Sequence, residues 1–254
     1  MDVRKNMPLY KANAIVLRNW DLGESDRIIS LYTMEFGKIR GVAHGVRRLT
    51  TKFGSSTLPF TCIKVSFYGN DSHELKTISQ TEIVKSCQGI RENLEKILYG
   101  SFLIELIEHL IIGTHRDERI FRFILKYLTW LEHETTEIIL YSFCFKLLCM
   151  LGFRPMLSNC AICHQVVDNY KIWFSWDEGG IICPVCLKER QGVMSVPKEV
   201  IELTKRLISE RVETLRTYPV SAQLMDEMKG FTLYFLKYYL TFPIKSMGFI
   251  EEMM

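Results

Sequence analysis

Two short cysteine pairs constrain this chain more than any other feature. Cys160-Ala-Ile-Cys163 and Cys183-Pro-Val-Cys186 stand with 19 residues between them. Each pair sets two sulfurs on one side of a tight turn, and two such turns at this spacing match a four-thiolate zinc site. The stretches between them, Tyr170–Phe174 and Gly179–Ile182, read as the hairpin of a ribbon. Four sulfur ligands leave no open coordination position, so one such zinc ion is structural rather than catalytic. Reduced free thiols and a redox pair are the competing readings, and His164 is an alternative ligand. Cys62, Cys87, Cys144 and Cys149 have apolar neighbours and read as small core residues.

The chain before the cysteines changes period once. Ala12–Arg18, Ile28–Thr33, Lys38–Ala43, Thr61–Phe67 and Leu75–Ile83 read as five short strands, with Gly, Pro, Asn and Asp between them. Five strands at this spacing predict a small barrel over residues 1–80, either of the oligonucleotide-binding (OB) type or SH3-like. From Thr81 the apolar residues recur at three and four, which predicts helices. Ile138–Leu151 is apolar nearly all round and reads as a buried helix, stopped by Gly152 and Pro155. A helix over Glu199–Arg211, capped by Ser195, and a long one from Ser221 to about Thr241 follow the cysteine segment. The expected organisation is α+β and multidomain. It has a five-stranded barrel (1–80), a helical domain (81–156), an inserted four-cysteine zinc ribbon (157–192) and a second helical part (193–254).

Charge is where function first shows. Net charge is +3, yet residues 1–80 carry 12 Lys+Arg against 7 Asp+Glu, while 81–254 carry 20 against 22. From Phe36 to Asn70 the chain holds Lys38, Arg40, Arg47, Arg48, Lys52 and Lys64 with no acid, bounded by Glu35 and Asp71. Such a one-signed segment suits a polynucleotide backbone, because each phosphate neutralised releases a counterion. Lys38, Arg40, Arg47, Arg48 and Lys52 are the candidate phosphate ligands. Phe53, between Lys52 and Gly54, is the ring placed to stack on bases. Five phosphates would give a slope of log K against log salt of about −3.5 on a single strand.

Other classes find little support. No phosphate loop, dinucleotide fingerprint, His-Glu-x-x-His or Gly-x-Ser-x-Gly is present, so no catalytic residue is assigned. Glu105 with Glu108 or His109, one helical turn apart, reads as a solvated stripe. The apolar windows Ile97–Gly113 and Ile138–Leu151 are too short or too charged to span a bilayer. Met1–Lys5 is not followed by an apolar run, and eight cysteines without a secretory signal suit a reducing, cytoplasmic setting.

Ala14-Ile15-Val16-Leu17, Gly23-Glu24-Ser25-Asp26-Arg27, Gly37-Lys38, Arg47-Arg48, Leu58-Pro59-Phe60, Leu151-Gly152-Phe153 with Pro155, the two cysteine pairs, and Lys245-Ser246 with Phe249-Ile250 together resemble, in order and spacing, the bacterial RecO family of recombination mediators along nearly the whole chain. The first two stretches look like that family's opening strands, and the next three continue it. The Leu151 stretch leads into the cysteine module as in the family, and the last pair of motifs resembles its terminal helix. Two positions depart from it. Leu49-Thr50-Thr51-Lys52 follows the Arg pair, and His164 stands where Gly is frequent. The resemblance implies an OB barrel, a helical domain and a zinc ribbon. It implies binding of single- and double-stranded DNA, strand annealing, and help in loading RecA onto DNA coated by single-strand-binding protein. Implied partners are RecR and the C-terminal tail of single-strand-binding protein, in a bacterial, nucleoid-associated setting without a membrane. The competing reading is a protein-interaction scaffold with little intrinsic DNA affinity.

Overall fold

A computed structural model describes residues 7–240 apart from 49, 70–73, 114–115, 170, 189 and 191, together with Ser246 and Gly248. Asn70, Asp71, Tyr170, Lys245, Phe249 and Ile250 therefore lie outside the described residues. The chain forms two compact units, residues 1–135 with 244–253 and residues 136–243 with 254.

In the first unit the apolar alternation produces five strands: β1 (Leu9–Leu22), β2 (Asp26–Thr33), β3 (Gly37–Ala43), β4 (Cys62–Tyr68) and β5 (Leu75–Lys85). They close in the order β1-β2-β3-β5-β4, with β3 and β5 parallel and the other pairings antiparallel. That order is the OB arrangement and decides against the SH3-like alternative. Alternate side chains, Val16, Leu31, Ile39, Val65, Phe67 and Ile78 among them, fill the interior. The loop after β3 folds back on the barrel and contributes Val46 and Phe53 to the same core.

Helices of this unit include α1 (Gln88–Arg91), α2 (Leu94–Leu110) and α3 (Glu118–His133). Asn93 caps α2 by accepting from the Lys96 amide at 3.1 Å, and Asp117 caps α3 by accepting from the Arg119 amide at 2.8 Å. The α2 face carrying Glu105 and Glu108 is not the solvated stripe expected. Glu105 is buried and accepts from the amide and hydroxyl of Ser246 at 2.9 and 2.6 Å. Glu108 meets the Ser30 hydroxyl on β2. Helical spacing alone cannot say which face an element meets; here that face meets the barrel.

The second unit is built on α4 (Glu137–Met150), buried nearly all round. Gly152 ends it with φ +97°, a conformation that favours glycine. The Phe153 amide then reaches the Leu148 carbonyl at 2.8 Å and the Gly152 amide that of Cys149 at 3.2 Å, satisfying two terminal carbonyls. β6 (Lys171–Ser175), β7 (Gly180–Ile182) and β8 (Val193–Pro197) form a sheet in the order β7-β6-β8, with α5 (Pro184–Leu187) between β7 and β8. Ser195 pairs with Trp173 inside β8 and so does not cap the next helix, α6 (Lys198–Ser209), which begins after Pro197. α7 (Val212–Leu215) and α8 (Ala222–Tyr239) follow, the latter capped by the Ser221 hydroxyl. Phe174 of β6 meets Phe231 of α8 at 5.2 Å, and Phe145 of α4 meets Phe235 at 5.0 Å, so the sheet shares the helical core. Among the described residues no helix is long and apolar enough to cross a membrane.

Candidate nucleic-acid interface and metal centre

Four of the six basic groups of the acid-free segment meet an acid once folded. Lys38 turns into the contact with α2. Its Nζ donates to the Glu108 carbonyl at 2.7 Å and lies 3.9 Å from the Glu108 carboxylate, with side chains only 13% and 9% exposed. Burial lowers the Lys38 pKa, while Glu108 pulls it back up. Lys38 is therefore a packing residue, which corrects its reading as a phosphate ligand. Arg40 lies 4.0 Å from Glu74, Arg47 3.4 Å from Asp21, and Lys64 3.8 Å from Glu82, all in solvent-exposed pairs. Exposed pairs of this kind are worth about 0–1 kcal/mol, so a phosphate can displace them. Arg48 is exposed and makes no ion pair among the described residues. Lys52 is exposed and donates to the Ser79 carbonyl at 2.6 Å.

Arg40, Arg47 and Arg48 belong to β3 and the loop leaving it. Asp26, at the start of β2, fixes that loop. Its carboxylate accepts from the Gly45 amide and the Ser25 hydroxyl, each at 2.8 Å, and lies 2.6 Å from His44 Nδ1. These contacts, the Gly45 amide foremost, hold the Asp26 pKa down at about 2. The Arg47 amide is also tied to the Ser25 carbonyl at 3.0 Å. The guanidinium groups therefore project from an anchored loop.

The aromatic partner of this wall is Trp20, not Phe53. Phe53 is 3% exposed, held in the barrel core beneath Lys52, and presents no free face to a base. Trp20, near the end of β1, is 40% exposed, and the Arg40 guanidinium lies 5.9 Å from its ring centroid. Sequence reasoning misses it by ending the first strand at Arg18. An indole two residues past a charged strand position is outward by alternation, and that signal is present in the sequence.

In the second unit Cys160, Cys163, Cys183 and Cys186 bring their sulfurs within 4.8 Å of one another. Cys163 and Cys183 are 3.7 Å apart, and a tetrahedron of 2.3 Å zinc–sulfur bonds has edges of about 3.8 Å. The knuckles are stitched by backbone. The Ala161 amide donates to the Ile181 carbonyl at 2.8 Å, and the Met156 carbonyl accepts from the Ile181 amide at 2.8 Å. A Cβ on Gly180 would stand 2.6 Å from that Met156 oxygen, so only glycine fits the crossing. Crowding splits the thiols. Burial raises the Cys160 pKa, but backbone amides, that of Cys163 first, outweigh it and bring the value to about 6. The Cys183 sulfur and burial push Cys186 up to about 12. A cation balances such a set, and the donors fit a metal ion. His164 is exposed and stands apart from the four-sulfur group, with φ +60°. Burial raises the pKa of Cys87 to about 11, and raises those of Cys62 and Cys144. These stay protonated core residues.

An OB-type barrel with a cationic, tryptophan-bearing wall, continued by helices and a four-thiol ribbon, defines a class of multidomain barrel protein. The chain matches the family descriptions "Recombination protein O N terminal" over residues 7–87 and "Recombination protein O C terminal" over residues 91–248. It thus belongs to the RecO family. It is 32% identical over 246 residues to the DNA repair protein RecO of Pelotomaculum thermopropionicum, covering 97% of this chain and 95% of that one. It is 33% identical over 226 residues to that of Symbiobacterium thermophilum (87% and 88% covered) and 28% identical over 247 to that of Desulforamulus reducens (97% and 96%).

Proposed function

We propose that this protein is a DNA-binding recombination mediator of DNA repair. It binds single- and double-stranded DNA, anneals complementary strands, and with RecR helps exchange single-strand-binding protein, held by its C-terminal tail, for RecA. The observation that carries the DNA reading is the Trp20–Arg40 pair beside Arg47 and Arg48 on a loop pinned by Asp26. Guanidinium groups engage phosphates in fork geometry and stack on rings, while the indole stacks on a base. Neutralising phosphate charge lowers the repulsion that opposes the approach of a second strand. The four thiolates hold one structural zinc ion, which fixes the ribbon against the helical core.

The test is a salt titration with a labelled oligothymidylate of about six nucleotides, within the site size of one OB barrel. Three guanidinium–phosphate contacts give a slope of log K against log salt of about −2.1. This replaces the steeper value that included Lys38 and Lys52. Replacing Arg47 and Arg48 with Ala should weaken all sequences alike, since phosphate contacts carry no sequence information. Negligible binding at low salt would instead favour the interaction-scaffold reading.

A further inference from the structure

The barrel has a second polar wall. Strand register places Lys11 of β1 opposite Ser66 of β4, and Ser66 opposite Gln80 of β5. The next outward row runs Asn13, Lys64 and Glu82 across the same three strands. With Lys52 from the β3–β4 loop, these rows line an open cleft of about 600 Å³. Lys11 and Lys64 are diagonal neighbours, about 7–8 Å apart at the backbone, and their long stems can reach successive phosphates of one strand. Hydroxyl and amide groups between them suit sugars and base edges. Of the two carboxylates in the cleft, Glu35 is tied off by the Asn13 amide and its Nδ2, each at 2.9 Å. Among the described residues Glu82 makes only the exposed 3.8 Å pair with Lys64. Three ammonium groups therefore face two carboxylates, one occupied by the Asn13 donors and the other in a weak exposed pair, which leaves the cleft net cationic.

We propose that this β1–β4–β5 wall binds the phosphate backbone of a second single strand while the first lies on the Trp20–Arg40 wall. The inference rests on the DNA-binding reading above and deepens it. One barrel then holds two strands on two walls of like charge, and pairing takes place between strands delivered by the same molecule. Continuity with the first wall on the same sheet favours a nucleic-acid strand over an acidic peptide, which would meet the same ammonium groups.

The full chain is titrated with the same hexathymidylate, and stoichiometry is read by native mass spectrometry and calorimetry. Two equivalents are expected, the second with a salt slope of about −2.1 for Lys11, Lys52 and Lys64. Lys11→Ala with Lys64→Ala should leave the first equivalent unchanged, weaken the second at least tenfold, cut its slope to about −0.7 and slow annealing of complementary strands. Lys11→Arg with Lys64→Arg should keep both equivalents, which checks that charge rather than folding is read. A wild-type stoichiometry of one, or two equivalents retained in the double Ala variant, overturns the second site while leaving the first intact. An oligoaspartate that binds this wall where no second oligonucleotide does also overturns it. Absence of any bound strand overturns both readings.

Discussion

Lys38 offers the sharpest separation of packing from ligand binding, because the sequence places it among the phosphate ligands and the fold removes it. Consider Lys38→Met, which keeps the stem and deletes the charge. The variant loses a charged hydrogen bond of 2.7 Å to the Glu108 carbonyl and, among the described residues, leaves the Glu108 carboxylate with the Ser30 hydroxyl as its partner on the barrel. A charge-assisted hydrogen bond is worth about 1.5–3 kcal/mol, and breaking a buried pair costs about 3–5 kcal/mol. The 3.9 Å separation of the charges puts this pair at the weak end, so a loss of about 2–3 kcal/mol is expected. For a unit of this size that lowers the midpoint of thermal unfolding by about 6–12 °C. Lys38→Met with Glu108→Gln should recover about half, since no uncompensated charge then stays buried. Thermal and urea unfolding followed by tryptophan fluorescence give the stability, and the salt titration with hexathymidylate gives the slope. The slope should stay at about −2.1. Unchanged stability together with a slope shallower by about 0.7 would refute the reasoning, because it would make Lys38 a phosphate ligand after all.

The remaining expectations concern the loop and the ribbon. The folded Asp26 has a pKa of about 2 against an ordinary 3.8, so its contribution to loop order is present above pH 4 and is lost as pH falls from about 4 to about 2. Protection of the Gly45 and Arg47 amides, taken relative to their intrinsic exchange at each pH, should fall over that window, and Asp26→Ala should show the same loss of protection at neutral pH with weaker DNA binding. Purified, unchelated protein should carry one equivalent of zinc by metal analysis. Cys160→Ser should lose that metal and unfold its unit at lower temperature than the barrel unit, an outcome that less than half an equivalent in the wild type would contradict. His164 adopts φ +60°, which costs an L-residue about 1–2 kcal/mol, partly offset by the greater freedom of glycine when unfolded. His164→Gly should then raise the stability of the holo ribbon unit by about 1 kcal/mol or less in urea titration, with zinc content unchanged.

What could be read without coordinates was local. The five strands follow from alternation and turn residues, and the stop after α4 follows from Gly152, whose φ of +97° the sequence position anticipated. The four sulfurs converge because Cys-x2-Cys turns are geometrically self-contained. The failures are long-range. Lys38 and Glu108 are 70 residues apart, and no window links them. Phe53 looks solvent-bound between Lys52 and Gly54, but the loop folds back and buries the ring. Lys11 lies outside the acid-free segment, yet register brings it beside Ser66 and Lys64. β8 is too short to announce itself by period; it forms because β6 offers an open edge.

The acid-free window is therefore informative for a different reason than its charge count suggests. Acids from Asp21, Glu74, Glu82 and Glu108 come back to meet it, so the described residues form no acid-free cationic strip. What separates its members is exposure. At the surface an ion pair is worth about 0–1 kcal/mol and exchanges readily for a phosphate that also releases a counterion. At the α2 contact, removal of one partner costs several times that, so Lys38 cannot leave Glu108 for a ligand without loosening the helix from the barrel. On the proposed DNA-binding reading, the same charge thus serves binding at Arg40, Arg47 and Arg48 and serves folding at Lys38. Solvent access, set by which barrel wall α2 covers, assigns each role.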